Sequence, residues 1–262
     1  MRNFQYFDGT SPVLIHAPHG GKHIPDLAWG SLTVNEREVR QELLAMTDGH
    51  TDRMAHDISG HGLVASRFVN NLSRLVVDPE RFPDETEEMN SVGMGAVYTH
   101  GSQKQRIRVE NKEISDRLLD LYFKPYSLAL TYHVDNLLSR FGRMTILDLH
   151  SFASKALPYE IHQEQKRPQI CLGIDNFHID PEISREVQGK LEAMGYWVEV
   201  NQPFSGTYIP LKHYRTTKDV SSLMLEIRRD IYMDEFTGEL NQQKYKKLVS
   251  SLSEVAELLA WI

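Results

Sequence analysis

The sequence predicts an α/β fold, a three-layer sandwich in which a mainly parallel mixed sheet is flanked by helices. Three observations carry this prediction. Short apolar runs alternate along the chain with stretches of helical period. The runs are apolar at successive positions, as in strands covered on both faces. Several of them end in a polar residue or a glycine-rich turn.

In chain order, Val13-Leu14-Ile15 reads as a strand that opens into the turn Ala17-Pro18-His19-Gly20-Gly21. Thr33-Val34-Asn35-Glu36 has the form of a capping box and starts a helix that turns Val39, Leu43 and Leu44 toward the core. A short helix is expected from Thr47 or Asp48 to about Ser59, stopped by Gly60 or Gly62. Leu63 to Asp78 holds one or two strands, of which Leu75-Val76-Val77 is the clearest. Ile107 to Phe141 follows a helical period through Ile114, Leu118, Leu121 and Leu137. It is divided at Pro125, which lacks an N–H and clashes with the preceding turn, and closed by Gly142. Met144–Leu149, Ile170–Ile174, Tyr196–Val200 and Leu223–Ile227 read as strands, and Pro181–Met194 and about Gln242–Leu259 as helices. No repeat or linker-like composition interrupts the pattern, so residues 1–262 read as one domain.

The 262 residues carry 29 Lys+Arg against 36 Asp+Glu, a formal net charge of −7. That balance leaves no basic footprint for nucleic acid or anionic lipid. No apolar run reaches the roughly 18–20 residues that span a bilayer. The stretch Met1 to Asp8 lacks the apolar centre of a secretory signal, and the one cysteine, Cys171, cannot pair within the chain. Both features point to a reducing cytoplasm. The expected partner is a small molecule rather than nucleic acid or a membrane, and the sequence sets no oligomeric state.

In open α/β sheets, ligands bind beyond the carboxyl ends of the strands. His19 lies in the turn after the first strand, His150 ends the strand from Met144, and Glu226 ends the strand from Leu223. Asp48 and Asp52 stand four residues apart at the start of the short helix, hence on one face. Two imidazoles and a carboxylate with one open position make a catalytic zinc site, so His19, Asp48 and His150 are candidate ligands of one Zn²⁺. Glu226 is then the candidate general base. Period 2 places Asp148 on the face of His150, where it can orient the imidazole. No Gly-x-Ser-x-Gly elbow or P-loop offers another chemistry. Each residue also has a plain structural reading. His19 caps or packs a strand end, Asp148 and His150 form a buried pair without metal, Glu226 pairs with Arg228, and Asp48 is a helix N-cap.

Arg74 and Arg81, in the run from Ser73 to Pro83, can grip a substrate carboxylate through paired hydrogen bonds, or can serve as ion-pair partners of Asp78 and Glu80. Tyr208, in the loop Asn201 to Tyr208, lines a pocket or sits exposed in a turn. Of the other histidines, His133 is read as a packed core residue. His16, His23, His50, His56, His61, His100, His162, His178 and His213 are read as largely solvated.

Seven segments together resemble the N-formylglutamate amidohydrolase family. They are Ala17-Pro18-His19-Gly20-Gly21, Thr47 to Asp52, Ser73 to Pro83, Gly93 to Thr99, Leu147 to Phe152, Asn201 to Tyr208 and Met224 to Arg229. The resemblance runs from about His16 to Asp234. It implies a hydrolase fold like that of the zinc carboxypeptidases, a zinc ion on His19, Asp48 and His150, and Glu226 as base. Arg74 and Arg81 would hold substrate carboxylates, or one of them would help to stabilise the oxyanion. Tyr208 and Arg228 are further candidates for the substrate site. Asp48 is chosen over Asp52 as the ligand, and Asp52 would then support it. The activity implied is hydrolysis of a non-peptide C–N amide bond in an N-formyl or N-acyl acidic amino acid. A carboxypeptidase-like or cell-wall amidase, and an inactive binding module, are the other readings. One departure bears on the substrate: where characterised deformylases often read Asp-Leu-Asn-Arg, this chain has Asp78-Pro79-Glu80-Arg81.

Overall fold

The computed structural model describes residues 2–59, 62, 64–160, 163 and 165–261. Among them, seven strands form one sheet: β1 (Phe4–Phe7), β2 (Val13–Ala17), β3 (Ser66–Asn70), β4 (Met144–Phe152), β5 (Ile170–Gly173), β6 (Val198–Val200) and β7 (Val220–Arg228). Their order is β1-β3-β2-β4-β7-β5-β6. The central four, β3, β2, β4 and β7, are mutually parallel. β1 runs antiparallel to β3, and β5 runs antiparallel to β7 with β6 parallel beside it. The sheet is therefore mixed around a parallel centre.

Seven α-helices accompany it: α1 (Asp26–Trp29), α2 (Glu36–Met46), α3 (Thr51–Ile58), α4 (Lys112–Leu118), α5 (Lys124–Phe141), α6 (Pro181–Ala193) and α7 (Gln242–Leu259). The period-2 alternation of the strands sorts them into layers. Val13, Ile15, Leu147, Leu149, Leu223 and Leu225 face α3, α6 and α7 in one core. Leu14, Met144, Ile146 and Val220 face α5 in another, against Tyr126, Leu130, Val134 and Leu137. The even positions of β2, β4 and β7 thus share the α5 face, which is where His16, Asp148, His150 and Glu226 stand. Each buried aliphatic side chain contributes about 1.5–3 kcal/mol to holding these layers together.

Several boundaries differ from expectation for local reasons. α2 is capped by Asn35, not Thr33. The Asn35 side chain accepts from the N–H groups of Arg37 and Glu38, and Glu38 accepts in return from Asn35 N at 2.8 Å. Val39 is buried but Leu44 is 39% exposed, because Glu42 and Met46 take the inward positions. α3 begins at Thr51 behind His50, whose φ of 65° is left-handed, so Asp48 lies before the helix and does not cap it. Gly60, His61, Leu63 and His162 lie outside the described residues.

The stretch divided at Pro125 stays helical. A π turn at Leu119–Phe123 leads into α5, which carries Pro125 in its first turn, where a missing N–H costs least. The inserted residue shifts the buried face from Leu118 to Phe123 and leaves Leu121 exposed. Leu75-Val76-Val77 is a buried turn rather than a strand. Val76 N donates to Ser73 O, Asp78 N donates to Ala96 O, and the Arg108 guanidinium donates to Leu75 O at 2.8 Å. Leu75 packs with Met46 and Met94 and Val76 with Leu72 and Ala96, so the run is apolar because it is enclosed between two satellite clusters.

Candidate active site

β4 and β7 continue two residues past His150 and Glu226, to Phe152 and Arg228, so both residues sit inside the strands rather than at their ends. His19 arrives from the loop after β2. Gly21 in that loop is required by a close approach, since a Cβ there would lie 2.4 Å from the carbonyl carbon of Asn71. Asp48 is brought alongside by a backbone hydrogen bond from its N–H to His19 O at 3.0 Å. Three atoms then converge. His19 Nδ1 and His150 Nδ1 are 3.2 Å apart, His150 Nδ1 lies 3.1 Å from Asp48 Oδ2, and His19 Nδ1 lies 3.6 Å from it. A tetrahedral ion with bonds of about 2.0–2.1 Å spaces its ligands about 3.3–3.4 Å apart. The triangle matches that spacing, so these side chains fit a zinc-sized cation.

Other carboxylates lie at the outer edges of the rings, but only His19 makes a hydrogen bond there, the kind of support histidine ligands commonly have, while His150 Nε2 has no hydrogen-bond partner among the described residues. His19 Nε2 lies 2.9 Å from Asp78 Oδ1. His150 Nε2 lies 3.2 Å from both Asp148 Oδ1 and Glu80 Oε2. Glu80 also makes a second possible ligand set with the same two histidines. Arg229 fixes Asp48 from behind: its Nη2 lies 3.4 Å from Asp48 Oδ1, and it also donates to Ala45 O and Ser151 O.

The charges are arranged for a cation. Burial works against a charged His150, but Glu80, Asp148 and Asp48 outweigh it and raise its pKa well above the ordinary value. Burial would raise the Asp48 and Asp148 carboxyls, yet the flanking histidines hold both far below the ordinary range. Glu226 is the exception. Burial, with the charge of Asp48, pushes it up to about 7 against the pull of His150, Arg74 and Arg229, and its Oε2 has no hydrogen-bond partner among the described residues. Lone buried acceptors of this kind belong to sites that receive a water or a ligand.

His19, His150, Glu226, Asp148, Asp78 and Glu80 line a cavity of about 550 Å³ together with Arg74, Arg81 and Tyr208, whereas Asp48 and Arg229 line a smaller cavity that shares Glu226 with it. Arg74 is committed, with Nη2 donating to Asp78 Oδ2 at 2.7 Å and Nε to the Tyr98 hydroxyl at 2.9 Å. Arg81 is freer, 3.7 Å from Asp78 Oδ2 and 3.6 Å from Glu87 Oε1. Tyr208 donates its backbone N–H to Asp148 Oδ2 at 3.2 Å. Two expected residues are not brought in. Asp52 is exposed on α3, and the Arg228 guanidinium binds Asp230 and the carbonyl of Arg167 instead of Glu226 or the cavity.

Sequence reasoning missed Asp78 and Arg229 as supports of the ligands, and it took His16 for a solvated residue. His16 is fully buried, with Nδ1 2.9 Å from Asp148 Oδ1 and Nε2 2.7 Å from the Tyr126 hydroxyl. A histidine inside an otherwise apolar strand was the available signal. His178 and His213 are buried as well, on Val220 O and Asp135 respectively, while His133 is half-buried and stacked on Tyr6.

A family model of N-formylglutamate amidohydrolase matches residues 11–233, which include every residue of the cluster. The chain belongs to that family. Its structure is similar to the crystal structure of N-formylglutamate amidohydrolase from Ralstonia eutropha JMP134, with a TM-score of 0.82 and 24% identity over 99% of each chain. It is also similar to gene product Atu2144 from Agrobacterium tumefaciens, with a TM-score of 0.74 and 16% identity over 98% of this chain and 94% of that one. Both likenesses are of fold. Comparison with curated protein sequences finds no match. As a member of an amidohydrolase family the protein is a hydrolase, and no helix among its described residues is long and apolar enough to cross a membrane.

Proposed function

We propose that the protein is a zinc-dependent amidohydrolase that cleaves the non-peptide C–N amide bond of an N-formyl or N-acyl acidic amino acid, N-formylglutamate being the substrate the family name suggests. The observation that carries this reading is the convergence of His19 Nδ1, His150 Nδ1 and Asp48 Oδ2 beside a Glu226 whose Oε2 lacks a hydrogen-bond partner among the described residues. A bound zinc ion supplies Lewis-acid polarisation of the scissile carbonyl and lowers the pKa of water from about 15.7 toward 7.

The chain's own groups supply the rest. Glu226, with a pKa near 7, takes the proton of the attacking water as its oxygen bonds to the acyl carbon. It returns that proton to the amine nitrogen as the C–N bond breaks. Arg74, already fixed by Asp78 and Tyr98, is preset to face developing negative charge. Arg81, whose contacts with Asp78 and Glu87 are longer than those that hold Arg74, is the guanidinium available for a substrate carboxylate. The deciding experiment measures metal content and formate release from N-formylglutamate with and without a chelator. Release that survives complete metal removal would refute zinc dependence.

A further inference from the structure

Glu80 and Arg81 are neighbours in sequence and place opposite charges in the same cavity without neutralising each other. Arg81 leans toward Asp78 and Glu87. Glu80 has no lysine or arginine within 4.0 Å among the described residues. Its charged-group neighbours are three imidazoles: His150 Nε2 lies 3.2 Å and His19 Nε2 3.9 Å from Oε2, and His16 Nδ1 lies 3.5 Å from Oε1.

The third neighbour is spent elsewhere. His16 sits between the Tyr126 hydroxyl, 2.7 Å from Nε2, and Asp148 Oδ1, 2.9 Å from Nδ1, so its Nδ1 is taken up by Asp148 rather than by the more distant Glu80. Glu80 Oε1 is therefore a buried acceptor with no hydrogen-bond partner, at the wall of a cavity and next to the imidazole pair. Such an atom stabilises whatever ligand brings it a donor and disfavours one that does not.

The geometry points to Glu80 as the residue that accepts the N–H of the scissile amide. The inference rests on the amidohydrolase reading above, and its physical basis is proximity. Glu80 approaches the Nε2 edges of the two rings whose Nδ1 atoms frame the proposed cation site, so it stands one imidazole width beyond the place of the scissile carbonyl, and the donor next beyond that carbonyl in an N-acyl amino acid is its own amide N–H. Accepting that N–H turns the lone pair that develops on nitrogen away from Glu80, leaving it open to protonation by Glu226. The substrate class is thereby restricted to secondary amides of primary amino acids. Amides without an N–H, such as N-acylproline or N-methylated analogues, and the corresponding esters are poor substrates.

The test compares N-formylglutamate with N-formyl-N-methylglutamate and the O-formyl ester of 2-hydroxyglutarate, on the zinc-loaded wild type and on Glu80→Leu and Glu80→Gln. The wild type is expected to favour the N–H substrate over its N-methyl analogue by about 10- to 100-fold in kcat/KM. Glu80→Leu should erase most of that preference by slowing the N–H substrate far more than the ester, with bound zinc measured on each variant. Glu80→Gln, which retains a neutral acceptor and covers the case of a misfolded leucine variant, should recover part of it. Equal preference in wild type and variants overturns the inference while leaving the amidohydrolase reading intact. Loss of zinc from Glu80→Gln also overturns it, because Glu80 then belongs among the ligands. If no substrate in the set releases formate, both fall together.

Discussion

His150 and Glu226 stand directly opposite each other on the adjacent parallel strands β4 and β7, on the face of the sheet that looks toward α5. A single register thus holds a candidate ligand and the candidate base side by side, so a one-residue slip would send one of them to the opposite face. Because the pair is set by backbone hydrogen bonds rather than a flexible loop, the spacing of the two residues is built into the sheet.

Replacing Glu226 by Gln keeps the shape and removes the base. Turnover is expected to fall by about 10²–10⁴ while bound zinc, measured by elemental analysis, stays at the wild-type level. Wild-type turnover in this variant would remove Glu226 from the mechanism.

His19→Ala and His150→Ala each delete one corner of the ligand triangle and should lose metal along with activity. Asp52→Asn, exposed on α3 and outside the cavity, should retain both. Full occupancy in either histidine variant would exclude that residue as a ligand.

The two cavity arginines should separate in their effects. Arg81→Ala is expected to raise KM for substrates with a free carboxylate, with little change in thermal stability. Arg74→Ala leaves the buried Asp78 without its guanidinium and should cost about 3 kcal/mol of folding free energy, read by urea unfolding. Arg228→Ala, bound to Asp230 outside the cavity, should leave KM unchanged. The reverse ranking of Arg74 and Arg81 in KM would exchange their roles.

A pH-dependent contribution to stability is expected where α3 meets α7. Burial would raise Asp57, but the hydrogen bond from the Tyr245 hydroxyl (2.8 Å), together with His56 and Arg53, holds its carboxyl below the ordinary value of 3.8. A carboxylate depressed in the folded state stabilises it above the unfolded pKa, and that stabilisation is lost as pH falls through the folded value. Tyr245→Phe should therefore lower unfolding free energy at pH 6 and show a smaller deficit at pH 3. A deficit independent of pH would mean that the hydroxyl acts only through packing.

Asn35→Ala removes the reciprocal cap of α2 and should cost about 1 kcal/mol, visible as a lower Tm with unchanged kinetics.

Much of this architecture is legible in the amino-acid order itself. The runs at Val13, Met144, Ile170 and Leu223 became strands, and Pro181 at a helix start and Gly142 at a helix end bound their helices, because these signals are local and act within a few residues of chain. Period 2 likewise put Asp148 beside His150, since alternation along one strand needs no partner. The same logic failed at Leu75-Val76-Val77, where three apolar residues are enclosed by loops and α-helical clusters rather than by a sheet. It failed also at Arg228 and Arg229, adjacent in sequence, of which the tertiary structure sends one to Asp230 and the other to Asp48. Periodicity reports which way a side chain faces on its own element. Which carboxylate lies behind His19, what faces Glu80 and why His16 is buried depend on the order β3-β2-β4-β7 and on loops that meet only when distant segments pack, so only the folded molecule decided them.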